Sequence, residues 1–320
     1  MSAHWWIGFT LLAAGAQTLR NAMQRSLTER LGTIGATHVR FLFGLPFALV
    51  FLLAVAHWAG GELPVTHAGF WAWVMLGGMT QILGTGLMLA VMKERSFVVT
   101  TAYVKTEPIQ VALFALVFLG DRLTLPLVIA IVLATTGVLL MSLPKPAPAA
   151  ANITIGAATS AASGDVAAAA TSGLLRYRAA LLGIAAGAMF ALAATGFRGA
   201  ILSLPQGSFV TKATLTLACG QLIQTILLTS YLLLRSPATL AEIFRAWRPS
   251  MVAGFMGAFA SQMWFLAFAL ETAAKVRTLA LIEILFAQAL SHKLLAQGSH
   301  WRELLGIALV VVGVGLLLNG

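Results

Sequence analysis

The segment "AYVKTEPIQVALFALVFLGDRLT", residues 102–124, sets Lys105, Glu107 and Pro108 in the first half of a long apolar run. A charged side chain at lipid depth costs at least about 2.5 kcal/mol on the mildest scale, so such residues are generally retained for function. A second carboxylate, Glu283, stands in "RTLALIEILF" in the same kind of setting. Carboxylates so placed can take up and release protons, or answer a charged group on a ligand. Lys105 is two residues from Glu107, about 200° around an α-helix, so the two share no face unless the turn opens. Lys105 must then meet another carboxylate, a carbonyl or a substrate anion. Pro108 has no N–H, and its ring crowds the carbonyl four residues back, at Val104, so a kink or an opening is expected there. A freed carbonyl is tolerated at that depth only inside protein or beside water, so this face should line a cavity.

The elements that position these groups follow from composition. The chain has 320 residues, 59% apolar and 9% charged, with a mean hydropathy of +0.91. Soluble domains carry about 25% charged residues, so the class is an all-α polytopic membrane protein. The net charge of +10 sits mostly in short loops between apolar runs, which suits membrane orientation and not a nucleic-acid partner. Cys219 is the one cysteine, leaving no disulfide framework and no thiol cluster for a metal. The first apolar run lacks a basic n-region and exceeds signal-peptide length, so it is expected to be a retained span. A ruler of about 20 residues per span gives ten transmembrane helices, at 5–23, 37–58, 70–91, 98–118, 125–143, 179–200, 210–233, 251–270, 278–295 and 304–318. Residues 144–175 are rich in Ala, Pro, Ser and Gly without periodicity, and are expected to form a mobile linker.

The linker separates two similar blocks, 1–143 and 176–320. "AAGA" at Ala13–Ala16 recurs at Ala185–Ala188, and "ATHVRF" sits where "VTKATL" opens span seven. Glu107 aligns with Glu283 and Gly137 with Gly313. Five spans per copy force the second copy to enter from the opposite face, giving two inverted five-helix repeats. That architecture is typical of secondary transporters, with the site near the midplane.

Further candidates flank the carboxylates. His38 and Arg40 open span two and Lys212 opens span seven, so one basic group would stand at each mouth as a gate or a snorkelling anchor. Gln81 and Gln262 can orient a ligand or join helices. Tyr103, Trp73 and Trp264 could wall a pocket, whereas Arg20 and Arg198 read as interface anchors. Small residues at every fourth position of span six, from Ala179 to Gly199, read as a packing stripe.

"LGDRLTLPLVIAIVLATTGVLLMS", at 119–142, follows a helix with a mid-span proline and resembles the EamA-type repeat of the drug/metabolite transporter superfamily. The second block, "LLAQGSHWRELLGIALVVVGVGLLL", keeps the glycine-bearing helix but has Gln297 and Gly298 where the acidic turn would stand. The resemblance implies ten helices as two inverted repeats around a central cavity, in a bacterial inner membrane, with export or exchange of small solutes. It supplies no catalytic residue. It also implies both termini inside, whereas twelve Lys or Arg after odd-numbered spans against four after even-numbered ones favour both termini outside.

The expected function is therefore secondary transport of a small polar metabolite, such as an amino acid. Glu107 and Glu283 would be substrate- or proton-responsive, Lys105 would contact a substrate anion, and no cofactor or metal is expected. The expected partners are a small-molecule substrate, the lipid bilayer and, where transport is coupled, protons, with the chain a monomer or a homodimer. A lipid-headgroup flippase or a nucleotide-sugar carrier would share the fold. An integral membrane transferase is disfavoured, because only Asp121 and Asp165 could contribute to an aspartate cluster.

Overall fold

The computed structural model describes residues 4–59, 62–94, 100, 103–141, 162–284 and 301–319, and every regular element among them is helical. Helix α1 (Trp5–Leu42) leaves helical geometry at Gly32, where φ is 68° and ψ 175°. A side chain would strain that backbone, and glycine adopts it freely. Gln24 Nε2 donates to the Ala36 carbonyl at 2.9 Å. In a straight helix, residues twelve apart stand about 18 Å apart. The chain therefore doubles back at Gly32 into two arms, 5–31 and 33–42. After a break at Phe43–Gly44 the second arm continues into α2 (Leu45–Trp58), which carries a proline in its first turn.

Next come α3 (Ala68–Glu94), α4 (Glu107–Leu119) and α5 (Leu125–Met141). Helix α6 (Ala162–Ser203) has 42 residues and would measure about 63 Å, twice the apolar depth of a bilayer. Its membrane-length apolar part is Arg178–Ser203. The expected linker is thus corrected: residues 162–175 are helical, and 144–161 lie outside the described residues. The chain continues through α7 (Phe209–Arg235), the short α8 (Pro237–Arg245), α9 (Trp247–Leu270), α10 (Ala273–Leu279), a 3-10 turn (Ala280–Ile282) and α11 (Trp301–Asn319).

Among the described residues, five stretches are long and apolar enough to cross a membrane: Trp5–Trp58, Ala68–Lys93, Arg178–Ser203, Phe209–Arg235 and Trp247–Leu270. The first of these contains both arms of α1. Shorter apolar helices are Glu107–Leu119, Leu125–Met141 and Leu304–Asn319. Residues 285–295 of the expected ninth span lie outside the described residues. Leu53, Val117, Leu125 and Leu234 are each at least two-thirds exposed on the outer surface, an arrangement that lipid satisfies and water does not.

Helices α3 and α6 run along each other, as do α1 and α9, and α5 and α11. Small residues permit the closest approaches. A Cβ on Gly196 of α6 would lie 2.7 Å from the Gly77 backbone nitrogen of α3. A Cβ on Gly313 of α11 would lie 2.9 Å from the Ala130 carbonyl oxygen of α5. The stripe on span six packs as its spacing suggests: Gly183 meets Tyr103, Gly187 meets the Val104 carbonyl, and Gly199 meets the Trp73 ring.

Candidate functional site

The site is built on two interrupted helices. Residues 103–104 are helical, Lys105 and Thr106 form a turn, and α4 starts at Glu107. The Thr106 amide bonds the Tyr103 carbonyl and the Ile109 amide bonds the Thr106 carbonyl, both at 3.3 Å. Pro108 falls in the first turn of α4, where its missing N–H has no helical partner to lose. Glu107 stands beside it at the helix N-terminus, which favours negative charge. On the other side of the site, α10 ends at Leu279, and the 3-10 turn leads into Glu283. Arg277 lies in the last turn of α10, where the carbonyl ends favour a cation.

The charges pair crosswise between these two interruptions. Glu107 Oε1 is 3.1 Å from Arg277 Nε, and Lys105 Nζ forms an ion pair with Glu283 Oε1. The Glu107–Arg277 contact is electrostatic, since neither atom has an aligned hydrogen-bond partner. All four side chains are buried. The Arg277 guanidinium also lies 4.2 Å from the centroid of the Trp264 ring, a cation–π stack. Trp264 Nε1 in turn donates to Gln17 Oε1 at 3.1 Å, and Thr18 Oγ1 reaches Glu283 Oε2 at 3.5 Å.

These groups face a cavity of about 60 Å³. Gln17, Thr18, Arg20 and Asn21 of α1 form one wall. Lys105, Glu107, Arg277 and Glu283 supply the charge, and Met88, Val104, Phe190 and Ile284 supply apolar surface. The structure thus brings Lys105, Glu107 and Glu283 together, and adds Arg277 and Arg20.

Other sequence candidates stand elsewhere. Tyr103 packs on Gly183 outside the cavity lining. Gln81 accepts a hydrogen bond from Gln224 Nε2 at 2.8 Å, and Gln262 donates to Thr214 Oγ1 at 2.9 Å, so both cross-link helices to α7. His38 and Arg40, expected at a mouth of the cavity, are buried, at 0% and 2% exposure. The reason is the break at Gly32: the second arm begins several residues earlier than expected and carries both inward. His38 Nε2 shares a hydrogen bond with Thr229 Oγ1 at 3.0 Å. Arg40 donates to Thr85 and Ser261, each at 3.2 Å. Lys212 remains half-buried in the first turn of α7.

Arg20 and Arg198 are not interface anchors. Arg20 is buried because the first arm runs on past it to residue 31. Arg198 approaches Asp121 at 3.6 Å and donates to the carbonyls of Phe268 and Glu271, tying the turn after α4 to the end of α9. Arg277 reads as a loop residue in the sequence, yet Thr272 caps α10 by accepting from the Lys275 amide at 3.4 Å, a helix-start signal present in "ETAAK". Arg20 also had a signal, since Gln17, Asn21, Gln24 and Thr28 recur at helical spacing around it. Among the described residues no three His, Cys, Asp or Glu side chains converge in a metal-binding group.

Comparison with known proteins agrees with this architecture. Residues 4–143 match the EamA-like transporter family. No curated protein matches the sequence. A solved chain described as "Crystal structure of protein" is similar in fold, with a TM-score of 0.60 over 97% of this chain and 98% of that one. The identity is 14%, so the likeness concerns fold alone. The chain is an integral multi-pass membrane protein whose residues 4–143 match the EamA-like transporter family, consistent with the drug/metabolite transporter superfamily.

Proposed function

We propose that the protein is a secondary transporter that exports or exchanges a small polar metabolite, such as an amino acid, by alternating access around this cavity. The observation that carries the reading is the crossed pairing of Glu107 with Arg277 and Lys105 with Glu283, each joining one interrupted helix to the other. A proton on either carboxylate, or a charged substrate between the pairs, releases a contact that holds the two helices together. Binding at the cavity is thereby linked to helix movement, because a ligand shifts a conformational balance only through its different contacts in the two states.

Helix contacts that fit the expected twofold relation between residues 1–143 and 176–320 support the same reading. Exchanging each span with its counterpart in the other block converts the α1–α9 pair into α6–α3, and returns α5–α11 and α2–α7 to themselves; all four pairs are in contact. The turn at Lys105–Thr106 and the 3-10 turn at Ala280–Ile282 also fall just before Glu107 and Glu283, the residues that the repeat aligns. Inverted repeats with interrupted helices at midplane are the usual construction of secondary transporters.

The test begins with metabolites released by cells with and without the gene. Each hit is then measured for uptake by proteoliposomes, with and without a pH gradient. At least one released solute should enter faster than into empty liposomes. The reading is overturned if the reconstituted protein moves none of them.

A further inference from the structure

We propose that Arg20 is the anion-binding residue of the cavity, taking a carboxylate or phosphate group of the substrate onto its Nε and Nη1 groups. This rests on the transport reading and names the chemical class of the substrate. Arg20 stands in the middle of the first arm of α1 and is 1% exposed, yet it lines the cavity. Among the described residues its hydrogen bond goes from Nη2 to Oδ1 of the adjacent Asn21, at 2.6 Å. A neutral amide does not compensate the charge, the carboxylate that acts on it from a distance, Glu283, is paired with Lys105, and Nε and Nη1 have no hydrogen-bond partner among the described residues. A buried guanidinium held this way is costly unless a counter-charge reaches it.

Among the described lining residues no carboxylate is left unpaired. Glu107 is engaged by Arg277 and Glu283 by Lys105, so the lining carries three cations against two anions. A second guanidinium adds to the excess. A Cβ on Gly257 of α9 would lie 3.0 Å from Arg40 Cγ and 3.4 Å from Arg20 Cδ, so the two arginines flank one glycine. Among the described residues Arg40 is bonded to the hydroxyls of Thr85 and Ser261, and its Nε has no hydrogen-bond partner. A cationic substrate would enter against this field, whereas an anion is drawn in by it. Met88, Val104, Phe190 and Ile284 give the cavity apolar surface beside the arginine.

Binding to purified protein in detergent tests this without requiring transport. The probes are sodium phosphate, succinate and phenylacetate, set against choline chloride and glycerol at matched ionic strength, with thermal unfolding as the readout. At least one anion should raise the unfolding midpoint saturably in the wild type. Phosphate and the two carboxylates separate the possible head groups. Arg20→Gln should weaken that anion about tenfold or more, the loss expected for one charged hydrogen-bonding contact. If Arg20→Gln does not fold, Arg20→Lys is measured instead, and a weakening of about fivefold or more is expected because the planar fork is lost. The proposal is overturned if no anion stabilises the wild type beyond matched sodium chloride, which would mean that water alone solvates Arg20. It is equally overturned if the folded variant binds as tightly as wild type. Anion binding that depends on Arg20 in a protein that moves no solute would sink the transport reading alone. Normal transport of a neutral or cationic solute by Arg20→Gln would sink this inference alone.

Discussion

Glu107 and Arg277 hold each other's charge in a buried setting, so neither can be removed singly without consequence. Breaking a buried pair from one side leaves an uncompensated ion and costs about 3–5 kcal/mol. Glu107→Gln should therefore lower the thermal unfolding midpoint in detergent, and adding Arg277→Met should recover much of the loss. A double variant no more stable than the single one would show that the two charges are not a closed unit. Outside the spans, hydrogen bonds from Arg245 and Arg30 hold the Glu242 carboxyl below its ordinary range. The sign follows from linkage: the contribution is present above the unfolded carboxyl value of about 4.3, and is lost as pH falls through the lower folded value. The stability difference between wild type and Glu242→Gln should be small, since the group is exposed, and should vanish on acidification. A difference that does not shrink as the pH falls below the unfolded carboxyl value would contradict the assignment. At this scale the sequence displayed its carboxylates well, because a charge inside an apolar run stands out. Arg20 was harder to see, because its polar neighbours made the end of a span out of what is the middle of a helix.

The elements depend on a few backbone positions. The α3–α6 pair packs with Gly196 against the Gly77 backbone nitrogen, which cannot move aside as a side chain can. Gly196→Val should destabilise the protein by about 1–3 kcal/mol or more, by overpacking. Gly86→Ala, where nothing lies within 4 Å of the added carbon, should be neutral or slightly stabilising. Equal unfolding midpoints for the two variants would refute the close approach. The long apolar helices were legible from length and composition, and the interruption beside Pro108 from the missing N–H. The hairpin at Gly32 was less so, because one glycine in "ERLGTIGAT" gives no hint that its backbone leaves the helix. That single turn moved His38 and Arg40 from the surface to the interior. The short α8 escaped notice because nine residues are too few for a span, although its Pro237 occupies the usual first-turn position.

For the whole molecule, the proposed pair of five-span blocks in opposite orientation would put both termini on one side of the membrane. Impermeant labelling of terminal tags in sealed, oriented vesicles should reach both from the same face, and labelling from opposite faces would rule out an even number of spans. The charge distribution and the family resemblance disagree about which face that is, and the same labelling decides it. The proposed twofold relation rests, in the sequence, on the shared offset of Glu107 with Glu283 and Gly137 with Gly313. The crossing of the ion pairs between blocks was not legible there, because it depends on Arg277, which the sequence placed in a loop. The most direct test is solute flux into proteoliposomes under a pH gradient, for wild type, Glu107→Gln and Glu283→Gln, each confirmed as folded by its elution and unfolding profiles. If the two carboxylates work the cavity, both variants lose about tenfold or more of the flux, the scale set by a charged contact. If both carry substrate at the wild-type rate, the crossed pairs are scaffolding and this account of the protein is wrong.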